Sequence, residues 1–448
     1  MVTLARKLRL TDFFTLGFGA MVGVGWLVVM DDWLGRGGPL GGVLGFAIGG
    51  AVLLPIGYVY GQLVMAIPDA AGEVAYTAKV FPQWVSFATG WMMVLAYLIV
   101  CPYEAVAVGK IAGYIFPALG KMELYRLGGK PVYLPQVIVG LGLTALLTAL
   151  NYRGIRLSAT FQNFTTFGVL TLFVVFVSFG LANGSTQNFT PLFSRGGLVS
   201  VLLVMQIVPY FMTGFESVAK CAEEASPQFR PRGFFRAIVL AILVGVVFYT
   251  MVIATVGYVS PWRGLTDEKF ATAVAFERAF RARWIVNIIL GTALLSLLKV
   301  FNGNFVAASR LLFALGRRGL VENGLARVHP VNRTPSAAVV CVGLATAVAM
   351  FLGDAILVPI AEVGSVASAV GWMAACAAYY CMKPSPGKRA TAAVGALVGF
   401  LLVLMKVLPF VPGHFSSYEY LALAAWVFVG LLLNWRERAK TLPAGGPT

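Results

Sequence analysis

Apolar residues run through this chain in long blocks and do not alternate with polar ones. Twelve blocks stand out, at about 11–36, 40–66, 84–116, 133–150, 157–182, 198–225, 234–260, 284–315, 335–353, 356–382, 391–410 and 418–435. A helix that crosses a bilayer needs roughly 20 mainly apolar residues, and every backbone polar group inside it must be satisfied by the helix itself. The pattern predicts an all-α membrane protein with twelve transmembrane helices. The third and eighth blocks exceed one crossing, which predicts tilt or an interfacial extension.

Composition agrees with the pattern. The chain has 448 residues, 59% hydrophobic and 12% charged, with a mean hydropathy of +0.84. A soluble domain carries about 25% charged residues, so most of this surface faces lipid. The net charge of +16 would suggest nucleic acid in a soluble protein. Here the basic residues cluster between apolar blocks, as in Arg6, Lys7 and Arg9, Arg153 and Arg156, Arg230, Arg232 and Arg236, and Arg310, Arg317 and Arg318. They favour the side that both termini share, so the positive-inside bias places residues 1–10 and 436–448 in the cytoplasm and argues against a nucleic-acid partner. The five cysteines, Cys101, Cys221, Cys341, Cys376 and Cys381, lie in or beside apolar blocks without metal-ligand spacing. No disulfide, metal or cofactor is expected.

Two blocks carry helix-breaking sequence. The first holds Gly17, Gly19, Gly23 and Gly25; the sixth holds Pro209 and then Thr213-Gly214-Phe215-Glu216. Glycine also serves close helix packing in membranes. The two breaks, however, fall at matching places in two sets of five blocks, 11–182 and 198–382. This is the organisation of an inverted-repeat transporter, with 391–435 as two added helices.

The residues at these places resemble the amino acid–polyamine–organocation (APC) superfamily of permeases, which has the LeuT-type fold. Gly19-Ala20-Met21-Val22-Gly23-Val24-Gly25 is similar to that family's first-helix GxMxGxG. Pro68-Asp69-Ala70-Ala71-Gly72-Glu73 resembles its first cytoplasmic loop, with Ala71 where a second Gly is usual. Thr213-Gly214-Phe215-Glu216 with Glu223-Glu224 resembles the sixth helix, and Ala308-Ser309-Arg310-Leu311-Leu312-Phe313-Ala314 the end of the eighth. The resemblance covers residues 11 to about 340. It implies a 5+5 inverted repeat in a bacterial inner membrane and secondary active transport of an amino acid, with membrane lipid and a proton or exchanged substrate as partners. Alternatives are carriage of a polyamine or other organic amine, and a non-transporting sensor. No nucleophile–base or metal constellation suggests an enzyme.

A broken helix exposes backbone groups that must meet a ligand or line a cavity. The amides of Gly23, Val24 and Gly25, at the start of a half-helix, suit a substrate carboxylate. The carbonyls of Ala20, Met21, Phe211 and Met212, beside Gly214, suit its ammonium. The resemblance implies that Tyr210 is an aromatic lid; the alternative is packing. Trp26 either shapes the side-chain pocket or packs. Ionisable residues within crossings are functional candidates. Glu104, in Pro102-Tyr103-Glu104, binds a proton, contacts substrate or is a paired structural residue. Glu216 caps freed amides or gates the site. Some proton-coupled relatives carry a fifth-helix Lys in place of sodium; Phe167-Gly168-Val169-Leu170 has none, and Lys299 is expected to supply that ammonium from the eighth helix, unless it snorkels to water. Asn304 is a pocket candidate. Glu223 and Glu224 are expected to face Arg230, Arg232 and Arg236, and Asp31 and Asp32 to form an outer rim.

Overall fold

The computed structural model describes residues 4–441; the first residues and the end of the expected C-terminal tail lie outside the described residues. Among the described residues, eleven helices are long and apolar enough to cross a membrane. The sixth block falls short because it is divided into Gly197–Met205, Val208–Met212 and Ser217–Lys220. Counted as one interrupted crossing, it completes twelve. The chain is an all-α multi-pass membrane protein, with one correction. Between the third and fourth crossings, Glu123–Leu127 pairs antiparallel with Lys130–Tyr133 in a small hairpin whose first strand is exposed and whose second buries Val132. Its turn, Gly128-Gly129, has φ of 56° and 76°, the left-handed pair that tight hairpins require. The spacing of apolar blocks predicts only a connecting loop there. An unexpected helix, Ala271–Phe280, also precedes the eighth crossing.

The first crossing runs as Leu10–Met21, stops, and resumes as Gly25–Val28. A 37-residue helical stretch then follows, Met30–Ala66, which would be about 55 Å long if straight. It is folded over at Gly38, whose φ of 66° and ψ of 179° turn the chain from the first crossing into the second. A Cβ there would stand 2.8 Å from the Ser194 amide nitrogen and 2.9 Å from the Leu192 carbonyl oxygen.

Burial orders the crossings. The most apolar window of the first is 83% buried, that of the last 17%. The first crossing is therefore enclosed by protein, and its exposed backbone groups can be satisfied only by neighbouring crossings. Those neighbours are the third (Gln83–Ile115), fifth (Ile155–Ala182), sixth, seventh (Arg232–Val259) and eighth (Arg283–Arg317) crossings; from the fifth, Gln162 Nε2 donates to the Thr15 carbonyl at 3.2 Å. The third bends at Ile99, between Gln83–Leu98 and Val100–Ile115. Pro102 lies just beyond and has no N–H for the Leu98 carbonyl. The eighth is one unbroken helix of 35 residues and forms a rigid rail beside the first-crossing break.

Candidate substrate site

The two breaks meet. Val22, the C-cap of the N-terminal half of the first crossing, is extended, and Val24 caps the C-terminal half. In the sixth crossing, Thr213 is extended and Gly214 has φ of 134°. A Cβ on Gly214 would lie 2.6 Å from both the Ala20 carbonyl carbon and the Met21 nitrogen, and one on Gly303 would lie 2.9 Å from Ala20 Cα. Ala20 and Met21 are thus clamped between the sixth and eighth crossings at van der Waals limits. Gly23 and Gly25 are required by proximity, not by φ. A Cβ on Gly23 would meet Glu104 Oε1 at 2.8 Å, and one on Gly25 would meet the Phe211 ring at 2.4 Å.

One face of the eighth crossing satisfies the carbonyls freed by the break. Ser296 Oγ donates to the Gly23 carbonyl at 2.7 Å and lies 3.3 Å from that of Val22. The Lys299 ammonium donates to the Val22 carbonyl and lies over the Phe18 ring. Asn304 Nδ2 donates to the Ala20 carbonyl at 2.8 Å. Positions 296, 299, 303 and 304 recur at helical spacing, so they share a stripe. From the seventh crossing, the Tyr249 hydroxyl donates to the Met21 carbonyl at 3.1 Å and faces the Gly23 amide. The carbonyls of Ala20 and Met21, expected to wait for a substrate ammonium, therefore already hold protein donors. Among the described residues, those of Phe211 and Met212 accept no hydrogen bond.

Glu104 approaches from the third crossing. Its carboxylate faces the Val24 amide and the Lys299 charge, and Oε2 has no partner among the described residues. Lys299 is fully buried, so it does not snorkel to water. Glu216 Oε2 accepts from the Gly214 amide at 3.1 Å, the capping arrangement; its Oε1 has no described partner. Tyr210 is buried beside Tyr103 and Phe211, its hydroxyl without a described partner. Trp26 stands apart, edge-on to Phe176 and Phe248, and lines an apolar cavity of about 70 Å³ with Phe173, Phe276 and Ile289.

Ion pairs lie on both sides of the breaks. On the side of the N-terminus Lys220 pairs with Glu73, both fully buried, and Tyr60 donates to Glu73 Oε1 at 2.6 Å. Arg310 forks onto Glu224 at 3.1 and 3.3 Å, also fully buried. Arg317 bonds Glu223 at 2.5 and 2.9 Å. The acids after the sixth crossing thus pair with the eighth, not with Arg230, Arg232 and Arg236 as expected, because the eighth crossing ends directly against them. On the opposite side Arg36 bonds Asp32 at 2.7 Å and Glu362 at 3.2 Å, and Lys406 pairs with the same Glu362. The sequence pattern does not single out Ser296, Tyr249, Glu73, Lys220, Glu362 or Lys406 as site residues. A signal exists for some of them. Ser296 lies one turn before Lys299 on the same helix, and Lys220 and Lys406 are lysines at or within apolar blocks.

The family model described as amino acid permease matches residues 8–433. The chain belongs to the amino acid permease family. This permease is 25% identical to the methylthioribose transporter of Bacillus subtilis over 375 residues, covering 82% of this chain and 79% of that one. It is 25% identical to the branched-chain amino acid permease BcaP of the same organism over 347 residues, 74% and 72% of the two chains. The aspartate-proton symporter, also of Bacillus subtilis, is 25% identical over 346 residues, 74% of this permease and 64% of the symporter.

Proposed function

We propose that this permease is a secondary active transporter that carries an amino acid across a bacterial cytoplasmic membrane by alternating access, together with a proton and without sodium. In this reading both termini are cytoplasmic, and residues 11–182 and 198–382 are two inverted repeats that rock around the paired breaks. The names of two relatives, a branched-chain amino acid permease and an aspartate-proton symporter, support the substrate class and the proton.

The reading rests above all on the pair of buried charges at the first-crossing break. The Lys299 ammonium occupies the Val22 carbonyl and provides a resident cation where a metal ion would otherwise be needed. The Glu104 carboxylate faces the Val24 amide, the seat proposed for a substrate carboxylate. An ionised Glu104 and a substrate carboxylate on that seat would set two negative charges against Lys299 alone. In a low-dielectric site such repulsion is strong. A proton taken by Glu104 removes it, frees the amide and lets the substrate carboxylate bind. The substrate ammonium then reaches the unoccupied carbonyls of Phe211 and Met212. One zwitterion and one proton enter together, and the reverse steps release both on the other side.

The test is flux into liposomes holding purified protein. Amino-acid uptake should proceed without sodium and rise when the outside is made more acidic than the inside. Strict sodium dependence, unaltered in Lys299→Ala, would overturn the coupling. Thermal stabilisation by diamines and by no amino acid would overturn the substrate class. Amino-acid binding without flux would make the protein a sensor.

A further inference from the structure

The inner face carries a second feature, independent of the transported substrate. Residues before the first crossing are stitched to the end of the sixth. The Lys7 and Leu8 amides donate to the Glu224 carbonyl at 2.8 and 2.9 Å, and the Ser226 amide donates to the Leu8 carbonyl at 2.9 Å. Below this, Phe13 packs against Phe229 and Phe234 at ring separations of 4.8 and 5.0 Å. Between the stitched segment and the start of the seventh crossing lies an open groove of about 890 Å³. Arg9, Arg230, Arg232 and Arg236 line it, with Leu10 and Phe229 along its edge.

All four arginines are exposed. Among the described residues, none has a carboxylate within ion-pair distance. The nearby acids are committed elsewhere. Asp12 accepts from the Arg9 backbone amide and from Asn163 Nδ2, both at 2.7 Å; Glu223 is held by Arg317 and Glu224 by Arg310. Four converging cations without a counter-charge repel one another, and a multivalent oxygen anion relieves that repulsion. Guanidinium groups match phosphate in geometry and hold it with paired N–H bonds.

Position selects the source of the phosphate. Leu10 and Arg232 are the first residues of two membrane-crossing helices, so the groove lies at the depth of lipid headgroups. Leu10 is 43% exposed, which leaves an apolar side chain at the groove edge beside the charges. An anionic headgroup attached to an acyl chain meets both, whereas free phosphate meets only the arginines. We propose that this groove binds the phosphate headgroup of an anionic phospholipid in the leaflet on the N-terminal side, with an acyl chain lying along Leu10.

The probe is purified full-length protein in nanodiscs of phosphatidylcholine, titrated with phosphatidylglycerol and read by native mass spectrometry and by melting temperature. The comparison is the variant Arg230→Gln/Arg232→Gln/Arg236→Gln. Each basic residue at an anionic surface contributes roughly fivefold to binding, so losing three should weaken phosphatidylglycerol retention on the order of 100-fold. A variant with Lys at the same three positions should retain part of the affinity, which separates loss of charge from loss of fold. Equal retention by wild type and the Gln variant would overturn the proposal. So would a melting temperature in phosphatidylcholine that inorganic phosphate raises as much as phosphatidylglycerol does, since the ligand would then be a free phosphate.

Discussion

Replacing Lys299 with Met removes the ammonium and keeps most of the stem volume. Two groups lose a partner. The Val22 carbonyl still has Ser296 at 3.3 Å, so its loss is limited to about 1 kcal/mol. Glu104, 2% exposed, loses the cation that faces it. The two side chains are not in ion-pair contact, so the cost of about 3–5 kcal/mol for breaking a contacting buried pair is an upper limit. An independent bound follows from neutralising the carboxyl instead. Protonating a group of ordinary pKa near 4.3 costs about 5 kcal/mol at pH 8 and about 1 kcal/mol at pH 5. Lys299→Met should therefore destabilise the protein by up to about 3–5 kcal/mol at pH 8 and by less at pH 5. Glu104→Gln in the same background removes the uncompensated charge, so the double variant should be more stable than Lys299→Met at pH 8. The assay is unfolding in mixed micelles followed by tryptophan fluorescence, as a double-mutant cycle at both pH values. Additive effects of the two substitutions, or a Lys299→Met cost that does not change with pH, would show that Lys299 and Glu104 are not a coupled pair and would remove the basis for the resident-cation reading.

Other substitutions test neighbouring parts of the site. Gly214→Ala imposes a φ of 134° on a residue with a Cβ and sets that Cβ 2.6 Å from the Ala20 backbone, so it should abolish transport and lower stability by more than about 2 kcal/mol; wild-type uptake would refute the break-to-break contact. Arg310→Ala leaves Glu224 fully buried and unpaired and should cost about 3–5 kcal/mol, largely recovered by adding Glu224→Gln, as judged by the same unfolding assay. Tyr249→Phe removes the hydroxyl from the Met21 carbonyl and should cost about 1 kcal/mol while raising the KM for amino-acid uptake; an unchanged KM would separate Tyr249 from the site. Lys406→Met leaves Glu362 with Arg36 alone and should speed labelling of a cysteine placed at Glu104 by an outside thiol reagent, provided the outer ion pairs hold that side shut.

Bilayer thickness sets a single length scale, and hydrocarbon forbids unsatisfied backbone, so blocks of apolar sequence map onto helices almost one to one. The breaks are legible in the sequence for the same reason. Gly23, Gly25, Pro209 and Gly214 weaken a helix where lipid would not tolerate it, which marks a place enclosed by protein. The hairpin at Glu123–Tyr133 and the helix Ala271–Phe280 are not legible, because outside the hydrocarbon region the local sequence competes with solvent and no length rule applies. The partners of Glu223 and Glu224 are not legible either. Nearness in sequence points to Arg230, Arg232 and Arg236, but the partners are Arg310 and Arg317, brought in by the end of a different crossing.

The order of residues alone is enough to make the chain a helical membrane protein, to locate its two interrupted crossings and to mark the ionisable residues within apolar blocks. Which groups meet at the interruption is a matter of packing. A freed carbonyl or amide takes the nearest donor or acceptor in space, and those come from crossings far apart in the chain: Ser296, Lys299 and Asn304 at the carbonyls of Gly23, Val22 and Ala20, Tyr249 at Met21, and Glu104 at Val24. Helical periodicity places Lys299 on a face of its own helix. Packing of the eighth crossing against the first turns that face toward Val22, and the site takes its charge from there.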